Sequence, residues 1–374
     1  MKKKVLIVHQ QTFGLEHIGG AEAVCVWMLE ALKGDYELSL AVPHKGAMLQ
    51  DISRINDQYG TNLRPQDFKV IEVKGWSFIR PLVSWSWFLH TFVFMLLVRL
   101  QAKNYDVCIS SYNEFDFGNI QSLSLQYIHY PMIDSTTKSG VRHALSALFG
   151  YKKERVDEYK FMTCSNWTAN VIREHYPTTD VATVYPPVKS VLVSNRSFLD
   201  RDNNFLFVGR ISPEKRIEKC IEIIKSIRDK GYDVGLTIVG PIYKDMYAKK
   251  IKRIAEDNSW IKMVGSVTNL ELDKICQEHR FGINGTKDEQ FGIVLAEMQR
   301  SGCVVFVPNG GGQLEIVNDN RLIYNDKADA VTKIINVLDD ESLQTELHSR
   351  VLQTSEVFSS AKYVERIKEK VKQI

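Results

Sequence analysis

The sequence predicts an α/β protein of two domains, each a parallel sheet covered by helices on both faces. Three observations carry that expectation. Short apolar runs alternate with longer amphipathic stretches along the chain, the pattern of buried parallel strands joined by crossover helices. The 374 residues exceed what one ordinary core fills and suit two domains of similar size. The alternation breaks at Pro186-Pro187 and the polar stretch Ser194 to Asn204, then restarts; two prolines continue neither strand nor helix.

Taken in order, Met1-Lys2-Lys3-Lys4 leads at once into Val5-Leu6-Ile7-Val8. That run is too short for a signal segment and no small-residue cleavage site follows, so it reads as a first buried strand with its basic start in solvent. Further strands are expected at 37–42, 69–73, 105–110, 123–128, 161–164 and 182–185. In the second half they are expected at 205–208, 234–239, 261–264, 281–283 and 304–307. Helical patterns fill the gaps, as at 214–230 and 243–257. The domains are then 1–190 and 191–357, with a Lys/Glu-rich helix over 358–374 expected to pack back on the first.

Composition excludes some partners. A formal charge of +3 gives no basic field for nucleic acid. Six cysteines (25, 108, 164, 220, 276, 303) contain no C-x-x-C pair, which reads as reduced, buried thiols in a cytosolic protein. From Pro81 to Val98 there is no Asp, Glu, Lys or Arg, and Trp85, Trp87, Phe88, Phe92 and Phe94 crowd the run. Its length reaches the lower threshold for a membrane span, roughly 18–20 residues. It lies between two expected strands of one sheet, which argues for a crossover helix. The readings are a buried crossover helix, a crossover helix whose outer aromatic face dips into a membrane surface, and a true span.

Ligands of open α/β sheets bind beyond the carboxyl ends of strands, and several motifs fall there. In Glu289-Gln-Phe-Gly-Ile-Val-Leu-Ala-Glu297, Phe291-Gly292 reads as a turn entering a helix that ends near Gly302. At ~1.5 Å per residue the two carboxylates lie about 12 Å apart, the scale of a sugar and a ribose at opposite ends of a diphosphate. The amides of Phe291, Gly292 and Ile293 would face a phosphate, aided by the helix dipole. Two glutamates at this spacing also fit a solvated helix face.

In Phe207-Val208-Gly209-Arg210-Ile-Ser-Pro213-Glu214-Lys215, a strand ends, Gly209 turns the chain and a helix is expected after Pro213. Arg210 and Lys215 would stabilise the charge that develops on a departing nucleoside diphosphate, without a metal. Surface cations near a helix start are the alternative, which the dipole disfavours unless an anion is present. Ile18-Gly19-Gly20-Ala21-Glu22 is not G-x-G-x-x-G. Its glycines serve either a tight turn or close approach of amides to a phosphate or sugar. His129, after a strand and before Pro131, suits either a sugar hydroxyl or a structural hydrogen bond. Pro308-Asn309-Gly310-Gly311-Gly312 is a glycine loop that could offer amides to a donor sugar.

Together these segments resemble glycosyltransferase family 4, on the GT-B fold: two Rossmann-like parallel-sheet domains facing across a cleft. The matching residues are Gly19-Gly20-Ala21-Glu22, Val184-Tyr185-Pro186-Pro187-Val188, Phe207-Val208-Gly209-Arg210 with Lys215, Ile238-Val239-Gly240-Pro241 and Val264-Gly265 with Val267. Glu289-Gln-Phe-Gly…Glu297 with Gly302 and Gly311-Gly312…Glu315 complete them, in the family's order.

The resemblance implies that Arg210 and Lys215 hold the diphosphate and that Glu297 binds the ribose hydroxyls. It further implies that Glu289 and the Phe291-Gly292 backbone hold the donor sugar, and that His129 contacts that sugar. It implies a retaining, metal-independent transferase with no cofactor, its nucleotide sugar being a substrate; no Asp-x-Asp precedes a glycine loop. Tyr127-Ile128-His129-Tyr130-Pro131, Asn166-Trp167-Thr168 and Val184-Tyr185-Pro186-Pro187 further resemble eukaryotic α-1,2-mannosyltransferases of lipid-linked oligosaccharide synthesis. That leaves GDP-mannose and UDP-sugars open as donors, with a glycan or lipid-linked glycan as acceptor. The implied location is cytoplasmic, peripheral on the inner membrane face. A UDP-sugar epimerase on the same fold would need added acid/base carboxylates that no motif supplies. A catalytically inactive binding module has no need to keep Arg210, Lys215, Glu289 and Glu297 together.

Overall fold

The computed structural model describes residues 2–10, 19–44, 51–119, 123–133, 140–177, 180–189, 196–243 and 245–374. Ile18 of the Gly-Gly motif, Ser194 of the polar stretch, Lys244 and the expected boundary between residues 190 and 191 lie outside the described residues. The chain divides into two compact units. One comprises Met1–Pro187 with Ser360–Ile374, the other Val188–Ser359.

In the first unit the described elements are β1 (Lys4–Val8), α1 (Gly20–Leu32), β2 (Glu37–Ala41), α2 (Ile52–Tyr59), β3 (Phe68–Ile71), α3 (Trp76–Val83) and α4 (Trp87–Ala102). β4 (Val107–Ser110), β5 (Leu123–Ile128), α5 (Val141–Leu148), α6 (Lys153–Asp157), β6 (Lys160–Thr163), α7 (Asn166–His175) and β7 (Val181–Thr183) follow. The strands form one sheet in the order β3-β2-β1-β4-β5-β6-β7, every pairing parallel. The strand order reverses at β1/β4, a topological switch point where such sheets open a crevice. A closing helix over Ser360–Lys372 packs on α1, with Tyr363 Oη donating to the Val24 carbonyl at 2.9 Å.

The charge-free run forms two helices where one was expected. Pro81 lies inside α3, and Ser86 caps α4 by accepting from the Leu89 amide. A serine N-cap and the bend before it start a new helix where continuous apolarity suggests none. α4 is a crossover between β3 and β4, burying Phe92, Phe94, Met95, Val98 and Ala102. At 16 residues it falls short of the bilayer core, and among the described residues no helix is long and apolar enough to cross a membrane. Arg99 of α4 turns inward to a buried Asp116, whose carboxylate also takes Arg155; the ion pairs are 2.9 and 2.6 Å. The amides of Gly118 (2.8 Å) and Lys152 (2.9 Å) complete its partners.

The second unit carries β8 (Asp202–Val208), α8 (Ile217–Arg228), β9 (Leu236–Val239), α9 (Met246–Glu256), β10 (Ile261–Gly265), α10 (Asn269–Glu278) and β11 (His279–Ile283). α11 (Ile293–Arg300), β12 (Val304–Pro308), α12 (Gln313–Val317), β13 (Ile323–Tyr324), α13 (Lys327–Leu338) and α14 (Glu341–Thr354) follow, and the closing helix Ser360–Lys372 of the first unit becomes α15. The sheet order is β10-β9-β8-β11-β12-β13, again parallel throughout. Phe205 and Phe281 stack at 5.3 Å with Phe306 beside them, the aromatic centre of its core. The switch point lies at β8/β11.

Candidate functional site

The loops leaving β8, β11 and β12 meet at the carboxyl edge of the second sheet. After Gly209 and Arg210 the chain makes a short 3-10 turn, Pro213–Lys215, and Arg216 adopts the left-handed conformation with φ 49°. The helix expected from Glu214 therefore starts at Ile217. The break presents the Lys215 and Arg216 carbonyls to the loop after β11. A Cβ on Gly285 would lie 2.5 Å from the Arg216 oxygen, so only glycine permits this approach. Lys215 Nζ then reaches Glu289 Oε2 at 2.5 Å, both side chains about four-fifths buried. Arg210 is 61% exposed and pairs with Glu214 at 3.3 Å.

Glu289 is held from below. Gln313, fully buried, directs its Nε2 to the carbonyls of Thr286 and Lys287 at 2.8 and 3.0 Å, and its Oε1 accepts from Asn284 at 2.7 Å. The glycine loop after β12 packs against the Glu289 backbone. The Gly312 amide donates to the Glu289 carbonyl at 2.7 Å. Gly311 (φ 74°) would place a Cβ 2.4 Å from that oxygen. The loop is thus a cradle for the Glu289 backbone. Gln313 and Asn284 carried no signal in the sequence beyond their place beside strand ends.

Gly292 takes a left-handed conformation (φ 97°) as the N-cap of α11, with no side-chain cap, leaving the first-turn amides of that helix directed outward. Phe291 is buried, its ring 5.5 Å from Phe358, so any contact it makes with a ligand is through its backbone. Glu297 sits little more than one turn inside α11. Burial pushes its carboxyl up to about 7; Lys189 opposes that and Asp273 adds to it. Among the described residues no hydrogen bond or ion pair reaches this carboxylate. A desolvated carboxylate without donors is an acceptor awaiting hydroxyl or amide hydrogens.

The first unit places its candidates at its own switch point. The amides of His129 and Tyr130 donate to Asn113 Oδ1 at 2.9 and 3.0 Å, and Asn113 holds φ 55° to receive them. Burial pulls the His129 ring down to about 4, against a hydrogen bond with the Ser111 backbone. The imidazole is therefore neutral at pH 7. Its Nε2 is buried with no hydrogen-bond partner among the described residues. His9, just after β1, shares the Tyr112 ring with His129 and hydrogen-bonds Ser111 Oγ at 3.0 Å. Gly19 and Gly20 open α1, where a Cβ on Gly19 would lie 2.6 Å from the Glu22 carboxylate. Gly19 thus leaves room for Glu22.

The sheet orders and the site loops define a GT-B fold. It is shared with the Anabaena protein HepE, solved with UDP and glucose: TM-score 0.71, 13% identity, the whole of both chains covered. Residues 194–353 match the family model described as Glycosyl transferases group 1. Among curated proteins, the chain is 25% identical over 219 residues to the GDP-Man:Man(3)GlcNAc(2)-PP-Dol alpha-1,2-mannosyltransferase of Eremothecium gossypii. That match covers 51% of this chain and 38% of the relative. The Neurospora crassa enzyme of the same name is 28% identical over 155 residues, covering 37% of this chain and 28% of the relative. The alignments therefore span well under half the length of these curated relatives.

Proposed function

We propose that this chain is a retaining, metal-independent glycosyltransferase of family 4. It moves a hexose, mannose from GDP-mannose, to a glycan or lipid-linked glycan. The observation that carries the reading is that Lys215, Glu289 and the start of α11 meet at one edge of the second unit's sheet. Glu297 is a carboxylate that no hydrogen bond reaches among the described residues, suited to a ribose diol. The α11 amides and Lys215 suit a diphosphate, and Glu289 suits the sugar. The curated relatives' names favour a guanine donor over a uracil one.

In this mechanism the acceptor oxygen attacks the anomeric carbon on the face the diphosphate leaves. The carbon–phosphate oxygen bond breaks, the new glycosidic bond forms, and the acceptor's proton passes to the departing phosphate oxygen. Lys215 and Arg210 hold the charge gathering there. His129, neutral and with its buried Nε2 lacking a partner among the described residues, accepts from a sugar hydroxyl.

Calorimetric titration with GDP- and UDP-sugars, followed by mass spectrometry and anomeric NMR of products, tests this. Binding of GDP-mannose with α-configured product is expected. No sugar nucleotide binding at millimolar concentration would refute it.

The acceptor's lipid is met at a membrane surface. Phe78 and Leu82 on α3 and Trp85 in the turn after it are 72–82% exposed, and Trp87, Leu96 and Leu100 on α4 are exposed as well. From Val73 to Tyr105 there is no acidic residue, while Lys74, Arg80 and Lys103 are basic. Exposed tryptophans beside cations suit the headgroup region of anionic lipid. The protein is expected to sediment with anionic vesicles, and Trp85→Ser/Leu82→Ser to remain in the supernatant. Equal sedimentation of both would remove this surface from the reading.

A further inference from the structure

The loop that carries His129 is held by every backbone N–H it offers. Of the residues His129 to Ile133, only Pro131 has none. The His129 and Tyr130 amides donate to Asn113 Oδ1 at 2.9 and 3.0 Å. The Met132 and Ile133 amides donate to the two carboxylate oxygens of Glu114, each at 3.1 Å. Two adjacent side chains thus take both halves of the loop, one before the proline and one after it. Both are buried, and their own backbone is fastened. The Asn113 amide donates to the Tyr127 carbonyl of β5 at 3.0 Å, and the Asn113 carbonyl accepts from Ser110 Oγ at 2.8 Å. Gln10 Nε2 donates to the Glu114 carbonyl at 2.8 Å, and the Gln126 side chain takes both backbone groups of Phe115, at 2.8 and 3.0 Å. Glu114 Oε1 also accepts from Tyr176 Oη at 3.3 Å, and that hydroxyl lies 3.2 Å from Tyr151 Oη. The two tyrosine rings pack edge-on against Phe161 of β6 and Phe92 of α4, at 5.2 and 5.6 Å.

Burying a carboxylate is costly, and so is holding a residue other than glycine in the left-handed region, where Asn113 has φ 55°. What both secure is the place of one loop, and with it one ring. The His129 ring is buried, and its Nε2 has no hydrogen-bond partner among the described residues. A ring on a backbone that cannot shift presents that nitrogen at one point. We propose that Asn113 and Glu114 are positioning residues for the donor sugar: they fix the His129 loop so that Nε2 stands where a sugar hydroxyl donates to it. This rests on the reading of His129 as a sugar contact, and it extends the sugar subsite to two residues that act only through the backbone of that loop.

The test is calorimetric titration of the full chain with GDP-mannose and with GDP, which carries no sugar, alongside a thermal melt. Asn113→Gly removes the acceptor and leaves a residue that adopts φ 55° without strain. It is expected to weaken GDP-mannose by roughly three- to tenfold, one hydrogen bond's worth, and to leave GDP unchanged. Asn113→Asp keeps Oδ1 and tolerates the left-handed region, and should restore most of the GDP-mannose affinity. Asn113→Gly added to His129→Ala should lose little beyond His129→Ala alone, because a residue that acts through His129 then has nothing to position. Glu114→Gln has the same shape but turns donor hydrogens toward one of the two amides. It should show the same sugar-dependent loss and the same coupling to His129→Ala, and it replaces Asn113→Gly if that variant fails to fold.

An unchanged ratio of GDP-mannose to GDP affinity in Asn113→Gly, where His129→Ala lowers it, would overturn the positioning role and leave His129 standing. So would an equal weakening of both ligands, which marks a structural role only, or losses that multiply in the double variant. An unchanged ratio in His129→Ala would remove the sugar contact and the inference with it. Failure of the wild type to bind GDP-mannose at millimolar concentration would overturn the donor reading itself, and the inference again with it.

Discussion

Replacing Lys215 with alanine is expected to lower turnover by roughly 30- to 1,000-fold, about 2–4 kcal/mol of transition-state stabilisation, with the fold intact. Lys215 is held ready by Glu289 at 2.5 Å, so little side-chain entropy remains to be lost when phosphate arrives. Its removal also leaves the Glu289 carboxylate facing the diphosphate with no cation between them. Arg210→Ala is expected at the lower end of the same range, because Arg210 is 61% exposed and must be ordered by the ligand. Glu289→Gln in the Lys215→Ala background should recover part of the donor affinity by removing the repulsion. The fold should survive because the loop bearing Glu289 is held through its backbone by Gln313 and the Gly312 amide. Steady-state kinetics with donor and acceptor, alongside a thermal melt, give both readouts. Unchanged turnover in Lys215→Ala and Arg210→Ala would remove the phosphate clamp.

The largest loss of stability is expected at Asp116. Its carboxylate neutralises Arg99 and Arg155, whose side chains are only 11% and 14% exposed. Asp116→Ala leaves two guanidinium groups facing each other with little water to screen them. Removing one partner of a buried pair costs about 3–5 kcal/mol, whereas an apolar set of similar volume is often tolerated. Asp116→Ala should thus markedly lower the denaturant midpoint of the first unit, and Arg99→Met/Asp116→Leu/Arg155→Met should recover most of it. A fluorescence titration in urea separates the cases, since Trp27, Trp76, Trp85, Trp87 and Trp167 lie in that unit. An unchanged midpoint in Asp116→Ala would show that water or another carboxylate already compensates the arginines.

Much of the fold was legible because buried parallel strands are written as continuous apolar runs, as at Val5-Leu6-Ile7-Val8 and Val304-Val305-Phe306-Val307. β13 was missed because two residues, Ile323 and Tyr324, carry no periodicity. The start of α8 was misplaced because Arg216 takes a left-handed conformation that its side chain does not advertise. Local contact with Gly285 makes the break, and the two are 69 positions apart in the chain. Arg210, Lys215, Glu289 and Glu297 stood out through their spacing and order. The Lys215–Glu289 pair did not, because it joins positions 74 apart whose proximity exists only once β8 and β11 are neighbours.

The first unit is discontinuous: its last helix, α15, follows the whole of the second unit in the chain. During synthesis the ribosome delivers Tyr363, which fastens α1, only after every residue of the second unit. Bringing the two ends of so long an excursion together would ordinarily carry a loop-closure penalty that grows, slowly, with length. Here the Val188–Ser359 bridge belongs to the second unit, so once that unit has folded its entry and exit already sit side by side. The second unit then acts as a folded clasp, and α15 docks on α1 as a nearly local event.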